Sequence, residues 1–279
     1  MSEATGHDLS HLSPGAGRLG AAFARPKVLA AICVIALASL GWLALGLMSA
    51  GIGIFDALCR PLATGAWSAT HFAIVAAMWG AMTFAMMLPS AAPMIMTYAE
   101  IADTAARKGE RIVSPFVLAA GYLLVWLGFA AASALAQFVF TRTTLLDDSM
   151  VSASGLFSGA IFIAAGAYQF SALKHACLTQ CQRPFPFFFS QWATTPRGVF
   201  NLGLKQGLYC VGCCWAMMLV MFAVGVMNVI WMAGFGMVMT VEKICTGKRF
   251  TYAVGVGLTV IGVAAVASAL AAHWPVHAV

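Results

Sequence analysis

Residues 28–49 read VLAAICVIALASLGWLALGLMS, a run of 22 residues without a charged side chain. A helix needs roughly 20 apolar residues to cross the hydrocarbon core of a bilayer, and this run is also too long for the apolar part of a signal peptide. Similar stretches follow at residues 71–90, 114–139, 152–172, 207–227, 229–243 and 251–272. The pattern predicts an all-α integral membrane protein, a polytopic bundle of about seven transmembrane helices.

The composition agrees with a chain that lies in lipid. Of its 279 residues, 62% are hydrophobic and 9% are charged, whereas a soluble domain carries about 25% charged residues. The net charge of +6 comes from only 15 basic residues against 9 acidic ones. This composition excludes a disordered chain and predicts membrane lipid, and no nucleic acid, as a partner.

The basic residues predict the orientation of the chain. With the N-terminus in the cytoplasm, 13 of the 15 Lys and Arg fall in cytoplasmic segments, and only Arg60 and Arg142 fall on the other side. Cytoplasmic loops of membrane proteins carry an excess of Lys and Arg. We therefore expect a multi-pass protein of the bacterial inner (plasma) membrane with a cytoplasmic N-terminus. The 13 residues are Arg18, Arg25, Lys27, Arg107, Lys108, Arg111, Lys174, Arg183, Arg197, Lys205, Lys243, Lys248 and Arg249.

This topology divides the chain into three parts. A polar cytoplasmic tail occupies residues 1–26, the transmembrane domain residues 27–272, and a short C-terminal tail residues 273–279. Within the domain, residues 207–243 are too long for one span and short for two. A turn at Gly225 and Asn228 would separate two spans. The sequence does not decide between two spans and one broken span.

Five of the eight cysteines fall in two short motifs on the predicted cytoplasmic side. Cys177 and Cys181 occur in HACLTQC at 175–181, and Cys210, Cys213 and Cys214 occur in YCVGCCW at 209–215. Both spacings place sulfur atoms on one face of a helix. Thiolate and thioether ligands select soft ions such as Cu(I) and zinc. The motifs predict a metal site with the three cysteines of the second motif as ligands and the first pair next, although buried cysteines also serve as packing residues.

Met82, Met86 and His175 are weaker candidate ligands, as is Met94. Met82 and Met86 are four residues apart at the end of the second span, a spacing that is also typical of core packing. We expect the many methionines of the later spans to be packing residues. The second span runs into LPSAAPM at 88–94, whose two prolines predict the end of the helix.

Glu242 is the notable acidic residue, because carboxylates at membrane depth are costly. The sequence leaves two interpretations open. Glu242 either pairs with Lys243 or a nearby arginine at the membrane boundary, or it supports the metal site or handles protons.

Three stretches carry a family resemblance: WGAMTFAMMLPSAAPM at 79–94, YQFSALKHACLTQC at 168–181 and GLYCVGCCW at 207–215. They resemble a bacterial family of predicted metal-binding integral membrane proteins, a domain of unknown function sometimes labelled copper chaperone. The resemblance covers residues from about 75 to 245 and implies metal binding, with copper as the metal, within that region. One position departs from the family's pattern, because Gln206 stands where a histidine is common, and a possible nitrogen ligand is lost.

We therefore expect a membrane protein that binds a soft metal, with Cu(I) as the ion and zinc as the alternative, and that stores, delivers or transports it without acting as an enzyme. A membrane metalloenzyme or the subunits of a membrane complex are the expected partners. Two other functions remain open. One is an accessory or assembly subunit whose cysteines pack against a partner. The other is a membrane thiol–quinone oxidoreductase, which requires the inverted topology.

Overall fold

The computed structural model describes residues 26–50, 69–110, 112–142, 154–226 and 228–273. Every regular element within these ranges is helical, which confirms the predicted all-α class. The two predicted tails lie almost entirely outside the described residues, as do Cys59 and Arg60.

Each of the seven predicted spans corresponds to a helix. The helices are α1 (Pro26–Ser49), α2 (Ala69–Met82), a π-helical turn (Thr83–Met87), α3 (Leu88–Arg107), α4 (Pro115–Arg142), α5 (Gly155–Gln169), α6 (Ala172–Gln182), α7 (Pro184–Ser190), α8 (Pro196–Leu219), α9 (Met221–Val224), α10 (Val229–Ile244) and α11 (Lys248–His273).

Length and composition decide which of these helices are able to cross a membrane. Five helical stretches in the described residues are long and apolar enough, and the count is six if α5 and α6, bent by 64°, form one span. Helix α10 has only 16 residues, about 24 Å at 1.5 Å per residue. The predicted count of seven spans therefore stays a prediction.

The helix does not end at Pro89 and Pro93, where the prolines predicted an end, but continues to Arg107. The backbone N–H of Leu88 donates to the carbonyl of Thr83, five residues back, so the turn before Pro89 is a π-turn. Proline lacks a backbone donor and crowds the preceding turn, and a wider turn accommodates both effects within a continuous helix. The result is a 36-residue helix from Phe72 to Arg107.

The ambiguous stretch at residues 207–243 is broken where the sequence predicted a turn. Helix α8 begins at Pro196, earlier than the predicted residue 207, and the helical run through α9 ends at Val224. Gly225 follows with a φ of +99°, a conformation that glycine adopts without a steric penalty. The side chain of Asn228 then accepts a hydrogen bond from the N–H of Trp231 and caps α10.

Helix α8 and the long α2–α3 helix form the centre of the bundle. In their most apolar windows 61% and 56% of the residues are buried, against 17% in α11. Helix α8 lies very close to α4, because a Cβ atom on Gly121 would overlap the carbonyl oxygen of Phe200 and one on Gly203 would overlap that of Leu118. Small residues allow such close contact between helices. The central position of α8 carries the YCVGCCW motif into the interior.

Candidate metal centre

Four cysteine sulfurs converge where α6 meets α8. Cys210, Cys213 and Cys214 lie on the buried face of α8, and none of them is more than 2% exposed. The Sγ atoms of Cys213 and Cys214 are 3.4 Å apart. Cys181 reaches the same group from α6, with its Sγ 4.0 Å from that of Cys213. All seven cysteines that the structure describes are free thiols, so these four sulfurs are available as ligands.

Cys177, the fifth predicted cysteine, does not join this group. Its sulfur lies against Gly212, where an added Cβ atom would be 2.6 Å from Cys177 Sγ. Cys181, one turn further along α6, is the cysteine whose sulfur contacts that of Cys213 in α8. The missing side chain of Gly212 is what allows the two helices to approach this closely.

A buried cation lies next to the sulfurs. The Lys243 ammonium, at the end of α10, is 2.9 Å from Cys210 Sγ and donates a hydrogen bond of 2.6 Å to the Ser90 hydroxyl. The Tyr122 hydroxyl is 3.0 Å from the same sulfur. A hydrogen bond from a cation stabilises a thiolate, whereas the Tyr122 hydroxyl donates its hydrogen to the Met87 carbonyl. The sequence analysis did not place Lys243, Ser90 or Tyr122 in the site. The position of Lys243 at the end of an apolar segment was a signal for that residue, but not for the other two.

A small cavity of about 10 Å³ adjoins the sulfurs, and its wall includes Met94, Cys181, Gln206 and Cys210. A space of this size accommodates about one water molecule or one ion. The Nε2 atom of Gln206 is buried without a hydrogen-bond partner. Gln206 therefore borders the space beside the sulfurs.

Of the weaker candidates, Met94 lines this cavity, whereas Met82, Met86 and His175 do not. Met82 and Met86 are buried in the apolar core, and Met86 packs against Gly236 of α10. His175 lies on the side of α6 that contacts α11, with its ring centroid 5.3 Å from that of Tyr252. Several methionines of α8 to α10 are fully buried in the core, as expected of packing residues: Met217, Met218, Met221, Met232 and Met239.

Glu242 pairs with Lys174 and not with Lys243 or an arginine. Its Oε2 atom lies 2.8 Å from Lys174 Nζ, and both side chains are fully buried. The Gln182 side chain donates to the carbonyls of Glu242 at 2.8 Å and Cys245 at 2.7 Å. These contacts tie α6 to the end of α10. Two of the basic residues that supported the orientation, Lys174 and Lys243, are therefore interior residues and not loop charges.

The separation between sulfurs shows how well the site fits a metal. In the described part of the chain, no three Cys, His, Asp or Glu side chains are arranged so that they could hold an ion. Two sulfur atoms that are each about 2.3 Å from one ion lie at most about 4.6 Å apart, and the sulfurs of Cys181 and Cys213, which are 4.0 Å apart, fall within this limit. The arrangement fits two sulfur ligands, and a third requires a side-chain rotation by Cys210 or Cys214.

The fold and the site define an all-α protein with helices of membrane-spanning length and a buried group of thiols beside a lysine. A family model described as copper chaperone, PpoB2, matches residues 76–265, roughly two thirds of the chain, and includes every residue of the sulfur site. The chain belongs to this copper chaperone family, which confirms the resemblance. The curated proteins and the solved structures contain no significant match.

Proposed function

We propose that the protein is embedded in the bacterial inner membrane and binds Cu(I) as its cargo through cysteine sulfur on the cytoplasmic side. Membership of the copper chaperone family supports copper as the metal. The observation that carries the proposal is the meeting of Cys181 from α6 with Cys213 from α8, at a sulfur separation of 4.0 Å. Soft sulfur ligands favour Cu(I) over ions that prefer oxygen.

The charge of Lys243 supports Cu(I) over zinc at a site with two sulfur ligands. Two thiolates and Cu(I) carry one negative charge, and the buried Lys243 ammonium beside Cys210 brings the site to neutrality. A divalent ion with the same two ligands would leave a net positive charge in a region of low polarity, which is unfavourable. The site therefore suits a monovalent ion.

The four cysteines differ in access. Cys181 is half-buried on helix α6, whereas the three cysteines of α8 are buried. Arg183, Arg197 and Lys205 follow in the adjoining segments, as expected of a cytoplasmic face. We infer that Cys181 exchanges the ion with the cytoplasm and that Cys213 holds it within the bundle. With Cys181 exchanging the ion and Cys213 holding it, the protein would receive or deliver copper without a catalytic step.

The test is elemental analysis of protein purified anaerobically in mild detergent and reconstituted with Cu(I). We expect near-stoichiometric copper in the wild type and its loss in Cys181→Ser and Cys213→Ser. Cys177→Ser is the matched control, since Cys177 lies one turn from Cys181 on the same helix but faces Gly212. It should retain copper. Equal and negligible copper in all four proteins would overturn the proposal.

The same preparation separates the proposal from the two alternatives. Metal-free protein that co-purifies with other membrane subunits would favour an accessory subunit. A reducible disulfide between Cys210 and Cys213, together with an inverted topology in accessibility labelling, would favour a thiol–quinone oxidoreductase.

A further inference from the structure

A groove of about 550 Å³ lies between the C-terminal half of α3 and the short helix α7. Its apolar wall is formed by Ile101, Phe185, Phe189 and Trp192. The rings of Phe185 and Phe189 are 54% and 68% exposed. Exposed aromatic patches of this kind mark contact surfaces, so we expect a partner to cover the groove.

The position of the groove along α3 argues against lipid as the cover. Glu100, Thr104 and Lys108 also line it, near the end of the helix that starts at Phe72. Glu100 is therefore about 42 Å from Phe72 at 1.5 Å per residue, beyond the roughly 30 Å of a hydrocarbon core. The groove opens at the aqueous end of the bundle, where charged residues are solvated.

The chain's own N-terminal segment starts at the rim of this groove. Lys27 Nζ lies 3.1 Å from Oε2 of Glu100, so the start of α1 is fixed beside the groove wall. The residues that precede it, 18–25, read RLGAAFAR and lie outside the described residues. Eight residues extend to about 26 Å, enough to enter a groove whose wall begins at the Glu100 side chain.

The composition of residues 18–25 matches the groove. Leu19 and Phe23 suit the aromatic wall, and Arg18 and Arg25 suit a rim that includes the carboxylates of Glu110 and of Glu100, which already contacts Lys27. We propose that residues 18–25 dock in this groove within the same chain, with Leu19 and Phe23 against the rings of α7. Helix α7 begins three residues after Cys181, so the docked segment would flank the residue to which the proposed function assigns copper entry.

The test is photo-crosslinking of full-length protein in phospholipid nanodiscs, with benzoylphenylalanine in place of Phe189. The expected product is an intramolecular crosslink to residues 18–25, identified by peptide mass spectrometry. Benzoylphenylalanine at Phe72, which is 38% exposed at the opposite end of the long helix, should give no such product. Crosslinks from position 189 only to lipid, or only to a second copy of the chain, would overturn the proposal.

Substitutions in the segment test which residues dock. Leu19→Ser with Phe23→Ser should lower the crosslink yield about tenfold or more, because the apolar contact is lost. Leu9→Ser with Leu12→Ser is the matched control and should leave the yield unchanged. Equal losses in both variants would refute the assigned register. The readout does not involve copper, so it stands or falls separately from the proposed function.

Discussion

The Lys243 ammonium lies 2.9 Å from the sulfur of Cys210 in a bundle where its neighbour Glu242 is already paired with Lys174. A buried cation is costly unless an opposite charge compensates it. The thiolates of the sulfur site are able to supply that charge, and the contact with Cys210 makes the lysine part of this site.

Replacing Lys243 with methionine should weaken copper binding. The change removes the cation that balances the thiolates, and hydrogen bonds to charged groups contribute about 1.5–3 kcal/mol, so we expect an affinity about 10–100-fold lower. Competition with a Cu(I) chelator under anaerobic conditions measures this. Lys205→Met is the control, because Lys205 is an exposed residue of the same helix as the cysteines. Equal affinities for wild type and Lys243→Met would show that the lysine does not support the metal.

Breaking the Lys174–Glu242 pair should destabilise the bundle. Lys174→Met leaves a buried carboxylate without its partner, a change that costs about 3–5 kcal/mol in proteins. The thermal unfolding midpoint in detergent, followed by tryptophan fluorescence, should fall clearly. The double variant Lys174→Met with Glu242→Leu should recover much of the loss, since both charges are removed together. A double variant less stable than the single one would contradict this account.

The close crossing of α4 and α8 should depend on Gly121. Gly121→Ala places a Cβ atom against the Phe200 carbonyl and forces the helices apart, and overpacking of this kind costs about 1–3 kcal/mol. The unfolding midpoint should fall by several degrees. Gly128→Ala on the same helix is the matched control, because nothing lies within 4 Å of its added Cβ atom. Equal unfolding midpoints for the two variants would contradict the close contact between α4 and α8 at Gly121.

Gly212→Ala should lower copper content although Gly212 has no ligand atom. The new methyl group would lie 2.6 Å from Cys177 Sγ and displace α6, which carries Cys181. Adding Cys177→Ala removes the obstructing sulfur, and the remaining Cβ contact of 3.4 Å is ordinary. Elemental analysis should therefore show copper restored in the double variant. A double variant that stays metal-free would indicate that Cys177 itself is a ligand.

The candidate site was predictable in part. Helical spacing alone puts Cys210, Cys213 and Cys214 on one face, and the structure buries that face in the centre of the bundle. The same rule grouped Cys177 with Cys181, but it describes a single helix and does not include the angle at which α8 crosses α6. The prolines at 89 and 93 misled for a different reason, because a π-turn of five residues precedes Pro89 and the helix continues through Pro93.

The sequence by itself determined that the chain is helical and has segments of membrane-spanning length, since apolar runs with few charges leave no other way to satisfy the backbone. It also indicated a turn at Gly225 and Asn228 and the soft-ligand chemistry of the cysteine motifs. Only the tertiary structure decided that Cys181 and not Cys177 faces Cys213, that Lys243 contacts Cys210, and that Glu242 pairs with Lys174. These relationships join residues far apart in the chain. They depend on how helices cross and which side chains share a low-polarity interior, and neither follows from periodicity along one segment.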